Sequence, residues 1–179
     1  MKTTDGMDGT NSFGLNSRIR GTAPPKKIGL ELEVVRIVST EIRLYVLLSS
    51  APWGSYFHWG GASMTCTGDT ETCDRCKRVV PRKWRGYLHA LEQHGTSTRE
   101  VILELTHSAL ATLDLSLAMR DYRGSMVQLR KTKGGAKGRF IIEVLERRVT
   151  DQTLPPERDP TPVLQKLWAL NERRYTDGK

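Results

Sequence analysis

The chain has 179 residues, a formal net charge of +8 and a sequence pI near 9.6. That length allows one domain with a real core, and that charge favours a polyanionic partner, nucleic acid before an anionic membrane surface. No apolar run reaches the roughly 18 residues that span a bilayer, and the N-terminus lacks an apolar signal core, so a cytoplasmic protein with reduced cysteines is expected.

Residues 1–25 are rich in Gly, Ser, Thr, Asn and Asp and end in Ala23-Pro24-Pro25, the composition of a disordered arm. From Lys26 the pattern changes. Ile28, Leu30, Leu32 and Val34 alternate with smaller or polar residues, as in a half-buried strand, and the slip at Val34-Val35 predicts a bulge or bend. Ile42, Leu44, Val46 and Leu48 mark a second strand, and the short Ser39-Thr40 connection predicts a hairpin between the two.

Residues 58–76, HWGGASMTCTGDTETCDRC, hold all three cysteines. One histidine with three cysteines is a common structural zinc set, and the C-x-x-C pair at Cys73 and Cys76 can form one knuckle. His58, Cys66, Cys73 and Cys76 are therefore the expected ligands, with Asp69, His89 and His94 as rivals for the fourth place. A redox C-x-x-C usually opens a helix after a buried strand, whereas the flanks here are polar and basic. The expected site is closed, so the zinc is structural.

Arg75, Lys77, Arg78, Arg82, Lys83 and Arg85 put six cations into positions 75–85 with no acid after Arg75. Trp53, Tyr56, Phe57, Trp59, Trp84 and Tyr87 surround them. Cations follow phosphates while bases stack on aromatic faces, so this mixture suits a single-strand binder. Residues 84–91 and 98–105 read as two further strands around a turn at 93–97. Thr106 is the expected N-cap of a helix carrying Leu110, Leu113 and Leu117 on one face. Strands follow at 125–130 and 139–146. Their glycine-rich connection carries Arg130, Lys131, Lys133, Lys137 and Arg139. It does not open a helix and lacks the P-loop pattern.

Residues 150–179 form a proline-containing tail. Thr161 is expected to cap a short helix with Pro162 at its first position and Val163, Leu167 and Leu170 in one stripe. The stripe of this 161–174 helix can pack on the core or dock a protein partner. No internal repeat is visible.

These elements predict a mainly β fold: an OB-fold-like barrel of five to six strands over residues 26–149, with one helix, an inserted zinc knuckle at about 51–83, and a C-terminal helix. An OB-fold whose metal residues run His58, Cys66, then Cys73 and Cys76 resembles the T-even phage type of single-stranded DNA-binding, or helix-destabilising, protein. The resemblance implies that these four residues hold a structural zinc beside a DNA cleft, with a role in replication, recombination or repair in a bacterium or phage-infected cell. It covers roughly residues 26–149. The family's acidic tail has no counterpart, since positions 150–179 balance five acids against five bases.

The expected function is thus non-enzymatic binding of a single strand, DNA before RNA. The expected interface is Arg43, Tyr45, Trp59, Arg75, Lys77, Arg78, Arg82, Lys83, Trp84, Arg85, Tyr87, Arg130, Lys131, Lys133, Lys137 and Arg139. The alternative is a zinc-ribbon adaptor in a larger nucleoprotein complex, bound to protein or structured RNA. No carboxylate spacing suggests metal-dependent hydrolysis, and His58 lacks the H-x-E pattern of deaminases.

Overall fold

The computed structural model describes residues 31–59, 63–66, 71–117, 121–135 and 138–177. The expected N-terminal arm and Lys137 lie outside them, as does Asp69. The fold is mainly β. The strands are β1 (Glu33–Arg36), β2 (Arg43–Leu47), β3 (Trp53–Trp59), β4 (Ser63–Thr65), β5 (Arg82–His94), β6 (Ser97–Thr106), β7 (Ser125–Lys131) and β8 (Phe140–Arg148). The helices are α1 (Asp74–Lys77), α2 (His107–Leu117) and α3 (Thr161–Asp177).

All eight strands join one open mixed sheet in the order β1-β6-β5-β2-β7-β8, with β3 branching from β5 and carrying β4. The thirteen-residue β5 makes this branching possible. Its first half pairs with β3, from His58↔Arg82 to Trp53↔Tyr87, and its second half pairs with β2, from Leu47↔Ala90 to Leu44↔Gln93. Its other edge carries β6 from Arg85↔Thr106 to His94↔Ser97. Gly95 closes that hairpin at φ +56°, the positive φ that glycine supplies at the first central position of a type II′ turn.

Two expectations are corrected here. The strand at 33–36 does not form a hairpin with β2. It pairs in parallel with β6, from Glu33↔Val101 to Arg36↔Glu104, because residues 37–42 carry the chain across the fold instead of turning it back. The stretch expected to be only a zinc insertion also contributes β3 and β4, which brings the sheet to eight strands.

Alternation builds the main core. Val101, Leu103 and Leu105 of β6 are fully buried with Leu88 and Ala90 of β5, Tyr45 and Leu47 of β2, and Val127 and Leu129 of β7. Helix α2 adds Leu110, Leu113 and Leu117 and packs against β5, β6 and β8. Its start is capped as expected, Ala109 N–H donating to Thr106 Oγ1 at 3.1 Å. The segment after β1 ties to the β7–β8 hairpin. Lys131 N–H donates to Ser39 O at 3.0 Å and Gly135 N–H to Val38 O at 2.8 Å.

A second cluster covers the opposite face of β5 and β6. Val163, Leu164 and Trp168 of α3 bury Leu32, Tyr87 and Ile102. Trp168 meets Tyr87 edge-on, with ring centroids 6.2 Å apart. Of the expected stripe, Val163 packs on the core with its flanking neighbours Leu164 and Trp168, Leu167 is half-buried, and the side chain of Leu170 lies outside the described residues. The cap differs from expectation: Asp159 Oδ1 accepts from Thr161 N–H at 2.7 Å, and the Thr161 side chain, together with this backbone bond, holds the Asp159 carboxyl below its usual range. No helix among the described residues is long and apolar enough to cross a membrane.

Candidate metal centre and the adjoining cleft

His58, Cys66, Cys73 and Cys76 converge, their ligand atoms lying within 4.8 Å of one another. His58 sits on β3 between the pairings to Met64 and Arg82, which holds its ring fully buried. Cys66 follows β4 and its N–H donates to Tyr56 O at 3.2 Å. Cys73 is extended (φ −82°, ψ 111°) at the cap of α1, and Lys77 N–H donates back to Cys73 O at 3.0 Å. One turn of α1 then turns Cys76 to the same side. Val79 closes the knuckle at φ +58°, its N–H donating to Cys76 O at 2.9 Å.

His58 Nε2 is 3.4 Å from Cys73 Sγ and 3.4 Å from Cys76 Sγ, and Cys66 Sγ is 3.7 Å from Cys76 Sγ. Zinc bonds of about 2.3 Å to sulfur and about 2.0 Å to nitrogen place tetrahedral ligands roughly 3.5–3.8 Å apart. These three separations match a tetrahedral ion, and the donor set suits zinc. Burial, with the Cys66 and Cys73 thiols beside it, pushes the Cys76 thiol up to about 11, so three thiolates this close need a cation among them. A metal on Nε2 leaves the proton on Nδ1. That Nδ1 is buried with no hydrogen-bond partner among the described residues, so strand pairing and packing aim the ring. His89 is held elsewhere by Glu100 and Arg158, and His94 is 54% exposed beside Glu92.

Beside this module lies a cleft of about 810 Å³. Phe57 and Trp59 of β3, Lys83 and Arg85 of β5, and Arg36 at the end of β1 line one side. Lys131, Arg139 and Phe140 of the β7–β8 hairpin line it too, as do Glu104, Thr106 and the first turns of α2. Among the described residues, five cations and three aromatic rings thus share one cleft with a single acid. Trp59 is 50% exposed. Lys131 is mostly buried. Its Nζ donates to Gly135 O at 2.7 Å and lies 5.3 Å from the Phe140 ring centroid, which braces the hairpin.

The structure brings together five of the expected interface residues, Trp59, Lys83, Arg85, Lys131 and Arg139. It separates others. Tyr45 is buried with its hydroxyl donating to Glu92 at 2.9 Å, and Arg43 pairs with the same carboxylate at 3.0 Å. Tyr87 is buried beneath Trp168. Neither tyrosine can stack a base. Trp84 is half-buried, edge-on to His107 at 5.6 Å, and with Tyr56 lines a smaller groove of about 360 Å³. Arg82 stacks over Tyr56 at 4.7 Å. Arg75, Lys77 and Arg78 sit on and after α1, where Lys77 faces Asp74 at 4.0 Å. Arg130 and Lys133 are exposed near the β7–β8 hairpin.

Sequence reasoning missed Arg36 and Glu104; Phe140 lines the cleft while packing against the main core. Glu104 carried a usable signal, a lone acid in the apolar run 101–105 of a two-faced strand, where a buried carboxylate needs cationic partners. No protein-family model, curated protein or solved structure matches this chain.

Proposed function

We propose that this protein binds single-stranded nucleic acid, DNA in the first instance, in the cleft beside the metal centre, without catalysing a reaction. The observation that carries the reading is the convergence of Arg36, Lys83, Arg85 and Arg139 with the half-exposed ring of Trp59 along one cleft. Cations that follow a backbone beside an exposed ring face are what sequence-tolerant single-strand binding requires.

The strand path supports an OB-fold-like barrel. Taken in chain order, β2, β5, β6, β7 and β8 form the path β6-β5-β2-β7-β8, with α2 between β6 and β7. In OB-folds the loops between the first and second and between the fourth and fifth strands flank the ligand. Here those two connections are the metal module and the glycine-rich hairpin, and both border the cleft. The metal, zinc by its donor set, is structural and holds the first of these loops. A role in replication, recombination or repair follows from such binding. The adaptor reading through α3 is disfavoured because Trp168 is already buried on Tyr87.

The test is a titration of the full chain with single-stranded DNA, duplex DNA and RNA of equal length over a range of salt. Tightest binding to single-stranded DNA, falling steeply as salt rises, is expected. Equal competition by duplex would replace the stacking model with a general basic surface.

A further inference from the structure

Glu104 borders the cleft although its side chain is only 5% exposed. Its Oε1 accepts from Arg36 Nε at 2.9 Å and from Arg85 Nε at 3.1 Å. Arg36 Nη2 also donates to Ser63 Oγ at 2.9 Å, and the Arg85 guanidinium lies over the Phe57 ring at 5.1 Å. Arg85 Nη1 reaches Trp84 O at 3.4 Å. Among the described residues, Arg36 Nη1 and Arg85 Nη2 have no protein acceptor, and both side chains line the cleft.

Two guanidiniums drawn to one oxygen repel each other, and the carboxylate between them offsets that repulsion. The three groups together carry one net positive charge. Both arginines spend Nε on the carboxylate, so each keeps a terminal amino group for another anion. Arginine amino groups held in a fixed geometry suit phosphate oxygens better than freely rotating lysine ammoniums do.

We propose that Arg36, Glu104 and Arg85 form a phosphate subsite, in which the carboxylate positions two arginines to clamp one phosphodiester of the bound strand. This subsite rests on the single-strand reading above. Glu104 acts only through the arginines and is a positioning residue. The same bonds also join β1 to β5 and β6, so the test needs a readout that a purely structural role would leave unmoved.

That readout is the salt dependence of binding to a fluorescein-labelled oligothymidylate, measured for the full zinc-loaded chain and for Arg36→Gln, Arg85→Gln, Glu104→Gln and Arg36→Gln/Glu104→Gln. Arg36→Gln and Arg85→Gln are each expected to weaken binding about tenfold and to reduce the log–log salt slope by about 0.7. Glu104→Gln is expected to weaken binding even though it adds net positive charge, and Arg36→Gln should then cost much less than tenfold in that background. Tighter binding by Glu104→Gln, with Arg36→Gln still costing the full tenfold there, would make Glu104 a competing anion and overturn the positioning role. Unchanged affinity and slope in both arginine variants would remove the subsite while strand binding by the unaltered chain still stood. Failure of the unaltered chain to bind would remove the parent reading and the subsite together. Should Glu104→Gln lose zinc or unfold, Arg36→Gln still decides whether the subsite exists, because the Arg36 side chain is 42% exposed.

Discussion

His58 and Trp59 are consecutive on β3 and face opposite ways. His58 is fully buried with Nε2 3.4 Å from two cysteine sulfurs, while Trp59 is half exposed and lines the cleft. Strand alternation makes this possible, since successive side chains leave opposite faces. The strand that a metal would hold is therefore the strand that presents the ring, and the two sites share one backbone.

Replacing Cys73 with Ser removes one thiolate ligand. The candidate metal module contributes little to either apolar core cluster, so a bound metal would supply much of its folding free energy. Cys73→Ser is expected to purify without stoichiometric zinc and to lose amide protection at residues 53–59 and 63–66, while β6 stays protected. Elemental analysis with hydrogen exchange checks this, and a metal-free variant with undiminished protection in β3 would refute the coupling.

The aromatic residues should separate by burial. Trp59→Ala is expected to weaken single-strand binding by about 1–3 kcal/mol with little change in salt slope, as a lost stacking platform should. Tyr87→Ala is expected to cost stability instead, about 3–5 kcal/mol in urea unfolding, because that ring is enclosed between Trp168 and Ile102. Normal binding by a zinc-loaded Trp59→Ala variant would take the ring out of the site.

Val79 sits at φ +58° with its side chain 86% exposed. A β-branched residue in the left-handed region is strained by about 1–2 kcal/mol, and little packing is lost by removing this one. After allowing for the greater flexibility of unfolded glycine, Val79→Gly should stabilise the zinc-bound protein by about 1 kcal/mol. Urea unfolding in the presence of zinc measures it, and a destabilised variant would mean that the valine side chain supports the knuckle.

His89 makes stability depend on pH. Arg158 N–H donates to its Nδ1 at 3.1 Å, so Nε2 carries the proton and donates to Glu100 Oε2 at 3.1 Å. Burial pushes the imidazole below its ordinary value, Glu100 and Glu157 oppose the shift, and Arg158 adds to it. The unfolded chain therefore binds the proton first. Stability should be constant above about pH 6.5 and should fall as pH drops toward the lower folded value, by at most about 1.4 kcal/mol per unit. His89→Gln, which can keep both hydrogen bonds, should flatten this part of the profile. An identical slope in that variant would assign the dependence to another group.

The elements legible in the chain are those whose cause is local. The four candidate metal ligands fall within nineteen consecutive residues, so their spacing alone announces a cluster that the fold then brings together. Apolar alternation marks β2, β5, β6, β7 and β8, and the Thr106 cap with Leu110, Leu113 and Leu117 marks α2. Strands β3 and β4 were hidden because WGSYFHW and SMT read as a metal loop with aromatics.

What the chain could not reveal is which face each strand would have covered, and by what. Alternation sorts side chains into two sets without saying which set meets water. On β5, Arg85 and Tyr87 belong to the same set. Tyr87 is buried under Trp168 of α3, which arrives from about eighty residues further along the chain, whereas Arg85 lines the cleft. The parallel pairing of β1 with β6 has the same character, since it joins segments nearly seventy residues apart and no local turn announces it. That pairing sets Arg36 opposite Glu104, and the β5–β6 hairpin brings Arg85 to the same carboxylate. Spacing and periodicity are short-range signals, and they sufficed for the candidate metal-ligand set and most of the strands. Which charged and aromatic residues share a cleft depends on contacts between segments distant in the chain, and so was set by the packed fold.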